Sequence, residues 1–238
     1  MEIATIPIPR LALSLIPVAI VVAFMRLWGQ RYGRALQAIA RMLLQLALIG
    51  YVLVYIFESD SGLVITAVLT VMVVAASWIA LNTIDVPRMP YFPASLVSVL
   101  IGGGSTLLLV TQGVLRLDPW FQPNVVIPLA GMIFAASMTN ISLALERLHA
   151  ELDNGVDFRR SRDTAFRTSM IPVINSLLAV GLISLPGMMT GQILSGVSPL
   201  IAVRYQVMVM CMIFGAAGLS TVCFLAMIRK IEHLTAKQ

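Results

Sequence analysis

The chain has 238 residues, of which 59% are hydrophobic and only 11% charged, with a mean hydropathy of +0.93. A soluble domain carries about a quarter charged residues, so these side chains cannot clothe a water-facing surface, which excludes a soluble enzyme, a disordered chain and a DNA-binding domain. The net charge of +5 and the pI of about 9.7 need another source, and the placement of the basic residues supplies one.

The stretches Leu11–Met25, Met42–Phe57, Gly62–Asn82, Met89–Leu115, Pro119–Leu145, Thr168–Val203 and Tyr205–Ile228 contain no Asp, Glu, Lys or Arg. A helix crosses a bilayer with roughly 17–25 mainly apolar residues. The pattern predicts an all-α polytopic bundle of seven transmembrane helices, at about 9–27, 36–57, 62–82, 94–115, 123–145, 170–190 and 205–228. No domain boundary interrupts residues 1–238, so a single membrane domain is expected. The first run is short enough to resemble a secretory signal. Its end, Ala23-Phe24-Met25-Arg26-Leu27-Trp28, offers no small-residue cleavage site, so a retained span is expected.

Between the first two spans, Gly29–Arg41 is amphipathic and basic and could lie along the inner interface. Arg41 and Gln45 are four apart and share a helix face at the inner end of the second span. Arg41 can simply snorkel to the interface. In the fourth span, Gly102-Gly103-Gly104 has no following Lys and reads as close helix packing, not as a phosphate loop. Ser137, Asn140 and Ser142 fall late in the fifth span, and Asn175 and Ser176 in the first turns of the sixth. Such groups either glue helices together or line a path.

Glu146–Arg167 is the largest hydrophilic stretch, with a turn signal at Asn154-Gly155. Glu146–Leu152 continues the fifth helix and Asp163–Arg167 leads into the sixth. The hairpin so formed is either a solvated connector or a docking surface. Thr168–Val203 is 36 residues without charge, too long for one helix across roughly 30 Å of hydrocarbon. Pro186-Gly187 divides it, and Gly191, Gly196 and Pro199 follow. A broken or re-entrant segment near the outer face is expected; a kinked helix end followed by a plain loop is the alternative. In the last span Met208 and Met212 share a face beside Cys211. The 14 methionines could serve a soft metal or fill gaps in the packing, and no metal site is assigned. Cys211 and Cys223 make no disulfide framework.

Orientation follows from the basic residues. Thirteen Lys and Arg fall in the loops after the first, third and fifth spans and in the C-terminal tail, against three (Arg10, Arg116 and Arg204) on the other side. The positive-inside rule therefore predicts an outside N-terminus and a cytoplasmic C-terminus. It also accounts for the basic excess without a nucleic-acid partner.

Catalytic constellations are missing. The two histidines, His149 and His233, lie in cytoplasmic segments, and no Asp or Glu lies within a predicted span; Asp85 sits at an inner edge. Intramembrane proteolysis, which needs a Ser–His pair, paired Asp or zinc ligands, is not expected. Neither is a self-contained proton pump. There is no GxxxxGK[ST] loop for ATP. The chain is expected to be no enzyme and to hold no cofactor.

Three stretches carry a resemblance: RMLLQLALIGYVLVYIF (Arg41–Phe57), GMIFAASMTNISLALERL (Gly131–Leu148) and SLPGMMTGQILSGVSPLIAVRYQ (Ser184–Gln206). In this order and over nearly the whole chain they resemble the FetB-like family of ABC transporter permeases, an iron-export family that includes plant aluminium-tolerance permeases. SLPGMMTGQIL is the most specific part. The sequence departs from the family pattern at Asn175, where Asp is expected, at Leu178, where Lys is expected, and at Ala136, where Asn is expected. The cytoplasmic loop is also shorter, without a Leu-Gly-Ala-type coupling segment. These departures mark a divergent branch.

The resemblance implies a multi-pass permease subunit in the inner (plasma) membrane, paired as a homodimer and exporting iron or another small solute. A separate ATPase subunit would hydrolyse the ATP. Glu146, Arg147, Arg159, Arg160, Arg162 and Arg167 would form the ATPase docking face. Pro186–Gly196 would close the pathway outside, with Gly187 and Gly191 as hinges and Met188, Met189 and Gln192 lining the exit. Arg41, Gln45, Asn140 and Asn175 are the intramembrane polar candidates. A non-transporting subunit that recruits a partner is the alternative, and a channel without an ATPase has no ring of charged residues within a span to support it.

Overall fold

The computed structural model describes residues 7–58, 61–83 and 87–235. Asp85 falls outside them, as do Lys237 and the side chains of Lys230 and His233. Among the described residues all regular structure is helical, apart from an isolated bridge between Val180 and Ser184. The chain forms two compact units, Met1–Glu58 and Ser59–Gln238.

The first unit holds α1 (Ile8–Ala12), α2 (Leu15–Leu27) and α3 (Tyr32–Phe57). Pro9 sits in the first turn of α1, where its missing N–H costs nothing. α2 stops at a Schellman motif: Gly29 adopts φ +68°, and the amides of Gly29 and Gln30 reach back to the carbonyls of Arg26 and Met25 at 3.1 and 2.8 Å. α3 then runs unbroken for 26 residues. The basic stretch up to Arg41 is therefore mostly the first turns of the membrane helix and not a separate interfacial piece. Nothing between Tyr32 and Arg41 terminates a helix, so the apolar run pulls these residues into register with it.

In the second unit, α4 (Gly62–Ala80) is followed by a composite helix from Phe92 to Val114. It alternates α5 (Phe92–Ser98), a first π segment (Val99–Gly104), α6 (Ser105–Leu108) and a second π segment (Leu109–Val114). Then come α7 (Pro123–Asp153), α8 (Phe158–Ala179), the short α9 (Gly187–Leu194) and α10 (Pro199–Thr235). α7 is the hub, packing on α4, α8, α10 and the first π segment. The core is built from Leu129, Ala130, Ile133, Ile141, Leu145 and Leu148 of α7 against Ala216, Phe224, Leu225 and Ile228 of α10. Gly102 and Gly103 lie against Ser220 and Phe134, the close packing that their sequence predicts, whereas Gly104, the third of the run, has no atom of the described residues within 4 Å of where its Cβ would stand.

Six helices of the described residues are long and apolar enough to span a membrane: Pro9–Leu27, Tyr32–Phe57, Gly62–Ala80, Phe92–Val114, Pro123–Asp153 and Pro199–Arg229. This is a multi-pass membrane protein. The sixth predicted span, 170–190, is not one helix. α8 begins at Phe158 and ends at Ala179, so Asn175 and Ser176 sit in its last turns and not its first. The break also precedes Pro186: Val180 is already extended and Gly181 takes φ +83°. Proline at 186 disfavours the helical region at Leu185 and starts α9 as its N-cap.

Candidate functional site

The segment between α8 and α10 is a helix–turn–helix–turn. The turn Val180–Leu185 closes through the Gly181 amide on the Ser184 carbonyl, 3.0 Å, and through the amides of Ile183 and Ser184 on the Ala179 carbonyl. Pro186 caps α9, and Gly196 ends it in a second Schellman motif, with φ +92° and the Val197 amide on the Gln192 carbonyl at 2.9 Å. Gly187 and Gly191 lie inside α9 with no atom within 4 Å of where a Cβ would stand. Of Gly187, Gly191 and Gly196, only the last needs a left-handed backbone. Gly181, not singled out from sequence, is its counterpart at the other end of the break; the Val-Gly pair ahead of SLPG is the signal that marks it.

α9 turns Met188, Met189 and Gln192 to its half-buried side, and it packs on α10. Met188 and Met208 both rest on the core. Gln206, in the early turns of α10, is 5% exposed. The side-chain oxygens of Gln192 and Gln206 are both buried without a hydrogen-bond donor among the described residues. Two buried amide carbonyls without donors are costly in a low-dielectric interior. They leave the break with acceptors suited to a cation or to a hydrogen-bond donor. Gln206 was not named from sequence, where a lone Gln in an apolar run carries no pattern.

The other polar candidates part company. Asn140 is buried in α7 at 2% exposure, donating to the Ala136 carbonyl at 3.1 Å while its own oxygen has no donor. One turn away Ser137 donates to the Ala216 carbonyl and accepts from Ser220, at 3.4 and 2.9 Å. Ser142 donates to Ala80, 2.7 Å. These serines tie α7 to α10 and to α4, as the helix-glue reading has it. Asn175, by contrast, is exposed near the end of α8, and Arg41 and Gln45 are exposed on α3.

On the polar side, α7 is 31 residues long, about 46 Å against roughly 30 Å of hydrocarbon, so its last turns project beyond the membrane. The hairpin turns at Asn154-Gly155 as predicted, in a third Schellman motif: Gly155 has φ +79° and the Val156 amide meets the Glu151 carbonyl at 3.1 Å. Asp157 caps α8, accepting from the Arg159 and Arg160 amides at 3.0 and 3.2 Å. Arg147 pairs with Glu151, Arg162 with Asp163 and Arg160 with Asp157. Glu146, Arg159, Arg160 and Arg167 are exposed. Beside them a groove of about 390 Å³ opens between α8 and α10, floored by Phe166, Val222 and Leu225 and edged by Arg162 and Asp163. An apolar floor with charged edges can seat a partner's side chain.

With this arrangement in place, the chain matches the family described as Uncharacterised protein family (UPF0014) over residues 8–157 and 156–231, two segments that meet in the hairpin turn. The chain belongs to the UPF0014 family. It is 32% identical over 238 aligned residues to the probable iron export permease protein FetB of Escherichia coli, covering 90% of this chain and 88% of FetB. It is 34% identical to ALUMINUM SENSITIVE 3 of Arabidopsis thaliana, over 90% of this chain and 82% of that one. It is also 34% identical to the UPF0014 membrane protein slr1647 of Synechocystis, over 82% and 81%. No solved structure matches the chain. The UPF0014 match spans both units described above.

Proposed function

We propose that this chain is the membrane permease subunit of an ABC transporter that exports a metal cation, iron or a related ion, or another small solute. One observation carries the reading: alignment over 90% of the chain to a protein named as a probable iron export permease. Two features of the fold support it. α9 and the α10 helix it packs on each carry a buried glutamine oxygen, of Gln192 and Gln206, without a donor among the described residues. The hairpin of α7 and α8 offers a charged projecting face with an apolar groove beside it.

In this reading the apolar end of α8, the turn and α9 complete a seventh crossing. The N-terminus is outside, the C-terminus and hairpin are cytoplasmic, and the membrane is the inner (plasma) membrane. Two copies enclose the path. A separate ATPase hydrolyses ATP and closes against Glu146–Arg167. The movement passes along α7 and α8 to the break, where α9 shifts and opens the exit past Met188, Met189 and Gln192. This chain itself performs no chemistry and holds no cofactor.

A second reading, a membrane subunit that recruits or regulates a partner without transporting, is favoured by the tight hairpin turn at Asn154-Gly155, which leaves no extra coupling helix between α7 and α8. Tagged chain should bring down an ABC ATPase from the cells that carry it, and cells lacking the chain should accumulate metal. A chain that purifies alone, leaving that ATPase soluble, defeats the transporter reading. Co-purification with unchanged content across several metals favours the second.

A further inference from the structure

Away from the break, a cavity of about 480 Å³ lies between α4, the composite helix and α7, within the range of about 300–1,000 Å³ typical of small-molecule sites. Its walls are apolar apart from three threonines and the exposed Gln112. The hydroxyls of Thr66, Thr70 and Thr111 face it but donate to their own helix carbonyls at 2.8, 2.8 and 2.9 Å. A polar ligand would therefore find few donors. Gly104 closes the first π segment, and no atom stands within 4 Å of where its Cβ would be, so a side chain there would project into open space.

The mouth is apolar at one end and polar at the other. Leu100 and Leu108, 50% and 66% exposed, border it on the outside of the helix. At the other end stands Trp120, half-exposed and held edge-on to Phe121 with ring centroids 5.7 Å apart. The same turn carries Arg116, exposed with φ +51° and folded over the end of the composite helix by the Leu117 amide on the Thr111 carbonyl, 3.0 Å. Among the described residues Arg116 makes no ion pair, Asp118 in the same turn included. Tryptophan sits at headgroup level in membrane proteins, and Arg116, four residues ahead in the same turn although outside the cavity's own lining, suits an anionic headgroup.

We propose that this cavity is a phospholipid site. One acyl chain enters sideways between Leu100 and Leu108 and lies along Gly104, while Trp120 and Arg116 hold an anionic headgroup. The inference is independent of the transport reading, because no residue of the break or of the hairpin takes part.

The test uses the full-length chain reconstituted in phosphatidylethanolamine vesicles doped with phosphatidylglycerol, or with phosphatidylcholine, carrying a photoactivatable diazirine on one acyl chain. Label should concentrate in peptides covering residues 66–73 and 100–112, and more from phosphatidylglycerol. Gly104→Phe should lower it about tenfold, the loss for two methylenes kept out of an apolar site, while Gly104→Ala should leave it unchanged. Arg116→Asn, which tolerates the left-handed backbone, keeps the test open if the Phe variant misfolds. It should abolish the preference for phosphatidylglycerol, bringing the labelling from the two lipids to one level. Label spread evenly over exposed helix faces, equal labelling from both headgroups in the natural chain, or labelling that survives Gly104→Phe in a folded protein would each overturn the proposal.

Discussion

Gly102 backs onto Ser220 so closely that a Cβ on Gly102 would stand 2.7 Å from the Ser220 Cα. That contact brings the first π segment against α10, and it leaves Ser220 free to donate to Ser137 of α7 at 2.9 Å. Three membrane elements therefore meet at one glycine and two hydroxyls. Small residues allow this approach where a bilayer gives no hydrophobic drive for helices to associate.

Gly102→Ala should destabilise the protein by about 1–3 kcal/mol, the cost of overpacking a tight contact. Gly104→Ala, into open space, should change stability by less than about 0.5 kcal/mol. Unfolding midpoints of the two variants in the same detergent separate them, and equal midpoints would deny that the contact is tight.

The Ser137–Ser220 hydrogen bond should show a coupling of about 0.6 kcal/mol in a double-mutant cycle of Ser137→Ala and Ser220→Ala. Additive effects would mean that each hydroxyl finds an equal partner elsewhere.

At the break, two classes of glycine should behave differently. Gly181→Ala and Gly196→Ala place a Cβ in the left-handed region at about 1–2 kcal/mol each, lowering stability. At Gly187 and Gly191 no atom of the described residues stands within 4 Å of an added Cβ, so with leucine at either position assembly should survive while metal export is lost. Unchanged metal tolerance in cells carrying either leucine variant would remove α9 from the gate.

The α8 N-cap should be worth about 1 kcal/mol. Asp157→Ala frees the Arg159 and Arg160 amides, and their hydrogen exchange should quicken while that of α10 does not. Charge reversal at Arg159 and Arg167 should abolish co-purification with the ATPase and leave the chain monodisperse. Retained co-purification would move the docking face elsewhere.

Topology is open to a direct measurement. With Cys211 and Cys223 replaced by Ala, Asn154→Cys should resist membrane-impermeant thiol reagents in intact cells and react after permeabilisation. Labelling from outside would invert the proposed orientation and detach the hairpin from any cytoplasmic ATPase.

What the amino-acid sequence determined by itself was what is local or compositional. Apolar runs free of charge defined the membrane helices, because every backbone polar group in hydrocarbon must be satisfied within its own segment. Asn154-Gly155 defined the hairpin turn, since glycine occupies the left-handed cap at no steric cost. Clustered Pro and Gly announced a break after α8. Tertiary structure decided where that break starts, at Gly181 and not at Pro186, because α8 runs out where the backbone at Val180 and Gly181 leaves the helical region. It also decided which polar residues are buried: Asn140 and Gln206 are, while Asn175 is not. Periodicity gives a residue's angle around its own helix, but the identity of the face that another helix covers comes from packing between segments distant in the chain. For the same reason Gly104 and Thr70 could not be read from sequence as two walls of one cavity.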